Sequence, residues 1–165
     1  MVEREAKTIL QPAFVTDSTL GRLAKWLRLA GFDTRYDPLP PDWRRLGEYA
    51  AVEKRNVLTR THRVMERFGA IPGLLIRFDS PIEQVRQVMR YFNISRNDLR
   101  PLSRCSRCNC GLQTADRSDF QDTVPDFIRL RHTRFLMCDQ CGRIYWPGTH
   151  SARMTNLFER WFEGD

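Results

Sequence analysis

Nowhere does this 165-residue chain reach eighteen consecutive apolar residues, so no stretch of it reads as a membrane-spanning helix. The opening MVEREAKTIL is too charged, and its apolar run too short, for a secretory signal, which gives the expectation of a soluble, cytoplasmic protein with no membrane partner. Internal repeats and low-complexity tracts are missing as well. Lysine is scarce: it supplies three of the 27 basic residues, and the rest are arginine, whose planar fork of donors matches phosphate oxygens. A net charge of +7 with a sequence pI near 9.6 therefore admits a polyanionic partner, although charge that only keeps a protein soluble would give the same composition.

What the chain has is cysteine in a pattern. Cys105-x2-Cys108 and Cys138-x2-Cys141 are separated by twenty-nine residues. In a chain with no export signal such pairs are metal ligands rather than disulfides. Two knuckles of two thiolates each complete a tetrahedral shell that suits one zinc ion, and a closed four-sulfur shell is structural rather than catalytic. Cys110 is surplus to it. His132 and His150 are read as surface or hydrogen-bonded residues, since four sulfurs suffice.

Periodicity divides the chain in two. Residues 10–97 alternate short apolar runs with helical stripes. Strands are expected at Ala13–Thr16, Asp33–Tyr36, Val57–Thr59 and Leu74–Phe78. Helices are expected with Leu20, Leu23, Ala24, Leu27 and Ala30 on one face and a stop at Gly31, with Trp43, Leu46 and Ala50 inward between Asp42 and Arg55, and over Val64–Phe68 ending at Gly69. Ser80-Pro81-Ile82-Glu83 carries the signature of a capping box opening a helix to about Phe92, with Ile82, Val85, Met89 and Phe92 inward. Strands that alternate with helices imply a parallel sheet covered on both faces, a three-layer α/β domain. Residues 98–165 form a second, smaller module ending in a helix over Ser151–Phe162 whose Met154, Leu157, Phe158 and Trp161 pack inward.

Ligands of an open α/β sheet collect beyond the carboxyl ends of its strands. Asp17, Asp37 and Asp79 follow strands there, and Asp42 begins a helix over the same edge. Converging carboxylates suit Mg²⁺ or Mn²⁺, which keep waters and phosphate oxygens in their shells. Any one of these aspartates taken alone is explained as a helix cap or turn residue, and it is their convergence on one edge of a basic protein that points to an ion. Arg22, Lys25 and Arg28 recur every three residues on the expected outer face of the first helix, a candidate groove for phosphates or an ordinary solvated face.

The segments FVTDSTLGRLAKWLRLAGFDTRYDP, VLTRTH, SRCSRCNC and CDQCGRIYWPGTH together resemble the Mut-seven carboxy-terminal RNase domain family, a PIN-like nuclease fold followed by a zinc ribbon. The resemblance covers nearly the whole chain. It implies metal-dependent cleavage of RNA, with Asp17 matching the acid after the first strand and Asp42 the acid that opens the second helix. Where the family pattern reads Leu-Thr-Arg-Asp, this chain reads Leu58-Thr59-Arg60-Thr61, so one carboxylate is missing. His62 or Asp79 could take its place, or activity could be reduced. Two functions follow. One is a ribonuclease in which Asp17, Asp42 and Asp79 bind Mg²⁺ or Mn²⁺, Arg60 holds the scissile phosphate and the zinc ribbon grips RNA. The other is an RNA- or ribosome-binding protein that kept the scaffold but not the reaction.

Overall fold

The computed structural model describes residues 11–68, 72–120, 123–147 and 156–163. Strands β1 (Phe14–Thr16), β2 (Thr34–Tyr36), β3 (Asn56–Thr59) and β4 (Gly73–Leu75) form one parallel sheet in the order β2-β1-β3-β4. All three residues of β1 are buried, as befits an interior parallel strand covered on both faces. Helices α1 (Gly21–Leu29) and α4 (Pro81–Tyr91) lie on one face, and α2 (Trp43–Glu53) and α3 (His62–Phe68) on the other. The connection from β1 to β2 runs one way along the sheet. Those from β2 to β3 and from β3 to β4 run the other way, so right-handed crossovers place their helices on opposite faces. This is the three-layer α/β domain expected from the sequence.

Two clusters of buried residues fill the layers. Phe14, Leu23, Leu27, Leu58, Val85 and Val88 pack beneath α1 and α4. Val15, Leu46, Ala50, Val57 and Val64 pack beneath α2 and α3. Alternate residues of β1 feed opposite clusters, the two-residue period of a strand.

Helix α1 stops where Gly31 takes φ +101°, a backbone state that L side chains rarely adopt. A Cβ at this position would lie 2.5 Å from the carbonyl oxygen of Arg100, whose own N–H donates to the Ala30 carbonyl at 2.8 Å. Gly31→Ala is therefore expected to cost about 2 to 4 kcal/mol, combining left-handed strain with a backbone clash. Denaturant unfolding checks this, and a loss below about half a kcal/mol would contradict it.

Several expectations need correction. Trp43 opens α2 but is 38% exposed, because its turn overhangs the sheet edge while Leu46 and Ala50 are buried. Ser80 occupies the cap position of α4 but makes no side-chain cap bond, and Glu83 instead accepts from Arg86 at 2.7 Å. The inward face of α4 is Gln84, Val85, Val88 and Met89, with Ile82 and Phe92 packed at its margin. A capping box does form further on, between Ser95 and Asp98. The strand expected to reach Phe78 ends at Leu75, and Phe78 is exposed.

The second segment builds a three-stranded antiparallel sheet from β5 (Gln113–Ala115), β6 (Phe135–Met137) and β7 (Ile144–Tyr145), with α5 (Asp126–Arg131) between β5 and β6. Its buried core is small: Ala115, Phe120, Val124 and Phe135. A further helix, α6, spans residues 156–161. Phe158 and Trp161 of α6 join the cluster of the first domain, and the Trp26 and Trp161 rings meet edge to face at 6.3 Å. The helix that the sequence reading grouped with the second module thus packs on the first. Gly69, His150 and Met154 lie outside the described residues. Among the described residues no helix is long and apolar enough to cross a membrane.

Candidate active site and metal centre

The strand order reverses between β1 and β3, and such a switch point opens a crevice at the carboxyl ends of the strands. Asp17 stands there. It is fully buried, caps the turn leading into α1 through the Thr19 N–H at 2.9 Å, and accepts from the Thr19 hydroxyl at 2.5 Å. Its other oxygen accepts from the hydroxyl of Thr59, which in turn accepts from the Thr61 N–H at 3.0 Å. Thr59 therefore ties the carboxylate after β1 to the turn after β3. Sequence reading missed this role; the signal was a polar residue ending an otherwise apolar strand at the carboxyl edge.

Asp42 caps α2, accepting from the Arg44 and Arg45 N–H groups at 2.8 and 3.2 Å, and these backbone bonds hold its carboxyl below the usual range. Both bonds fall on one oxygen, which leaves the other open to solvent. Asp79 is exposed and ion-paired with Arg60, so the structure brings these two expected site residues together. Asp37 is buried and paired with Arg45. A carboxylate offers about four lone-pair positions, so Asp17, Asp42 and Asp79 all keep acceptor capacity beyond their protein bonds. A hard divalent ion that takes one or two carboxylates and keeps its waters fits such a set. Among the described residues, the one group of three or more Cys, His, Asp or Glu side chains whose ligand atoms lie within 4.8 Å of one another is the four-cysteine cluster. The acidic edge is therefore a looser arrangement.

Arg22 and Lys25 are exposed and line a groove of about 460 Å³ between α1, α4 and α6, bounded also by Trp26, Ser80, Pro81 and Trp161. Arg28 is not on that face. It is 8% exposed, and its guanidinium donates to the carbonyls of Thr34 at 2.8 Å, Arg107 at 2.8 Å and Ser106 at 3.4 Å. Burial lowers its pKa, while the sulfurs of Cys105 and Cys108 and the Asp33 carboxylate act in the opposite direction. Arg28 thus clamps α1 to the first cysteine knuckle.

The two knuckles are copies of one another. The Cys105 N–H donates to the Cys110 carbonyl at 2.9 Å and the Asn109 N–H to the Cys105 carbonyl at 3.0 Å. In the second, the Cys138 N–H donates to the Arg143 carbonyl at 3.0 Å and the Gly142 N–H to the Cys138 carbonyl at 2.8 Å. Asn109 and Gly142, fourth after each first cysteine, both take positive φ, +68° and +66°. Cys105 and Cys138 are buried, and the four sulfurs lie close enough to hold one metal ion. The Cys105 and Cys141 sulfurs are 3.8 Å apart, the edge length of about 3.8 Å that a tetrahedron of Zn–S bonds near 2.3 Å would have.

Without a metal the thiols differ. Burial opposes ionisation of Cys105, but the Tyr145 hydroxyl and the N–H groups of Cys108 and Arg107 bring it down to about 6. The neighbouring Cys141 sulfur pushes Cys108 up to about 12. Cys110 stands outside the four, its sulfur 3.1 Å from that of Cys138. His132 is half-buried and no member of the cluster.

The knuckle docks at the amino end of β2. Asn109 accepts from the Thr34 N–H at 2.9 Å and donates to Asp33 at 2.8 Å, while Asp33 is held by Arg55 at 2.6 Å. Asp17, Asp37, Thr61 and Asp79 all lie at the carboxyl ends of their strands, the opposite edge of the sheet. The cluster braces the fold from the far side of the candidate active site.

Comparison with known proteins adds one family. The sequence model of the Mut7-C RNAse domain matches residues 12–158. A human protein named exonuclease mut-7 homolog is 33% identical over an alignment of 227 positions, gaps included, that covers 90% of this chain and 26% of that protein. The chain thus spans about a quarter of the length of the curated relative it matches. No solved structure matches it.

Proposed function

The chain belongs to the Mut7-C RNAse domain family, and from that premise we propose that it is a metal-dependent ribonuclease of the cytoplasm, hydrolysing phosphodiester bonds at the carboxyl edge of its parallel sheet. The observation that carries this reading is Asp17, a carboxylate enclosed at the β1/β3 switch point and held by Thr19 and Thr59. Burying a carboxylate is costly unless its oxygens are satisfied, and here they are satisfied at the one place where this fold binds ligands.

Asp17, Asp42 and Asp79 would hold Mg²⁺ or Mn²⁺. Such an ion, when bound, activates water and offsets charge on the attacked phosphate. The chain's own residues do the rest. Arg60, exposed and balanced by Asp79, is placed to exchange that carboxylate for a substrate phosphate, a planar donor pair meeting two oxygens. Arg22 and Lys25 supply positive charge along the adjoining groove. Four thiolates in a closed shell fit zinc best, in a structural role.

A second reading has its own observation. Thr61 stands where the family pattern has an acid, and its N–H is committed to Thr59. A scaffold short of one ligand could bind RNA and not cut it. Cleavage of single-stranded and structured RNA in Mn²⁺, native protein against Thr61→Asp, separates the two. Native activity, raised about tenfold or more by the added carboxylate, is expected for the ribonuclease. Cleavage by the Thr61→Asp variant alone would overturn the ribonuclease reading in favour of a binding protein.

A further inference from the structure

Between the start of α2 and helix α3 lies a second groove of about 460 Å³, lined by Pro41, Trp43, Thr61, Arg63, Val64 and Arg67. It adjoins the candidate site, since Trp43 follows Asp42 and Thr61 follows Arg60. Val64 is buried and gives it an apolar base, while the indole of Trp43 is 38% exposed. The Arg67 and Arg44 guanidinium carbons lie 5.8 and 5.3 Å from the Trp43 ring centroid.

The arginines of this edge fall into two kinds. Arg45 and Arg60 are neutralised by Asp37 and Asp79. Arg44, Arg63 and Arg67 pair with no carboxylate among the described residues, and all three are exposed. Arg63 and Arg67 are four apart, hence neighbours on one face of α3. The exposed indole is thus flanked by Arg44 and Arg67, with Arg63 lining the same groove. An aromatic plane beside cations is what an unpaired nucleobase and its flanking phosphates require.

We infer that this groove is a nucleotide-binding subsite for single-stranded RNA, in which one base stacks on Trp43 while Arg63 and Arg67 hold the phosphates that flank it. The inference rests on the ribonuclease reading for its choice of RNA. A duplex keeps its bases stacked inside and cannot offer one to Trp43, so the subsite selects unpaired strands. The base seated there fixes which phosphate reaches Asp42 and Thr61, and the groove positions substrate without taking part in bond breaking.

The test is equilibrium binding of a fluorescent single-stranded oligoribonucleotide in EDTA, with an RNA duplex and inorganic polyphosphate as comparators. Trp43→Ala is expected to weaken single-strand binding about 5- to 100-fold, the usual worth of one stacked base, and to leave polyphosphate binding within twofold of native. Trp43→Phe should recover most of the loss, which separates lost stacking from misfolding. Arg63→Gln and Arg67→Gln should each lower the double-logarithmic salt slope by about 0.7. Native single-strand affinity in Trp43→Ala, or equal losses for RNA and polyphosphate, would overturn the subsite. Because binding is read without divalent ions, the outcomes are separable. Trp43-dependent binding with no cleavage in any metal would sink the ribonuclease reading alone, whereas cleavage with Trp43-independent binding would sink the subsite alone.

Discussion

With zinc in the four-cysteine cluster as proposed, its removal is expected to unfold residues 102–120 and 123–146 while the parallel sheet persists. The module's own apolar core is small, a cluster of four buried residues with a partly buried margin, and its strands run three, three and two residues. Sheets this small are marginal in water. Structural zinc contributes on the order of 10 to 16 kcal/mol in small domains, far more than such a core. Native protein should therefore carry one zinc per chain. Cys138→Ser should lose the metal together with amide-exchange protection in β5, β6 and β7. Cys110→Ser, outside the shell, should keep both. Acid acts in the same direction as chelation, because thiolates must form before they ligate and protons compete for them as pH falls. Elemental analysis and hydrogen exchange check each outcome, and protection in β6 that survives complete zinc loss would refute the expectation.

Asp17→Asn is expected to lower cleavage at least about a thousandfold, the scale on which a charged group at the reacting centre acts. The fold should tolerate the change. An asparagine oxygen still accepts from Thr19, and the amide can donate to the Thr59 hydroxyl, whose proton must then find another acceptor. That rearrangement is expected to cost about 1 to 2 kcal/mol, within the range of a weakened cap. Asp17→Ala is a poorer probe, since it also strips the cap and strands the Thr19 and Thr59 donors. The informative measurement pairs rate with RNA affinity and denaturant midpoint. A lost rate with affinity and midpoint nearly unchanged supports Asp17 as a metal ligand, whereas an unchanged rate counts against the site.

The layered α/β core could be read from sequence because each signal is local. Phe14-Val15-Thr16 and Val57-Leu58-Thr59 are short buried runs, and Gly31 ends a helix at a positive φ with no room for a Cβ. Arg28 could not be read that way. Three-residue steps on a helix fall about 60° short of a full turn, so two steps carry Arg28 about 120° from Arg22, off the solvent face and toward the knuckle. Two of its three partners, the Ser106 and Arg107 carbonyls, lie almost eighty residues away, and no local pattern announces carbonyls at that range. The capping box at Ser80 failed for a different reason, since Arg86 competes for Glu83. Trp43 kept its place in the apolar stripe of α2, but a stripe does not tell where the sheet beneath it ends. The placement of Asp17, Asp37 and Asp79 at the carboxyl edge followed from their position after strands, whereas Thr59, which hydrogen-bonds Asp17, was hidden as an ordinary strand residue.

Helix α6 returns to the α/β core after the cysteine module, so that module is tethered to one body at both ends. Docking of α6 is then a tethered association whose effective concentration depends on the length of chain between the anchors. One ion joining Cys105 to Cys141 would shorten that tether without adding a contact to the sheet. A metal held there would thereby favour the docked state in which Trp161 meets Trp26 and walls the Arg22 and Lys25 groove, at a distance from any atom it touched.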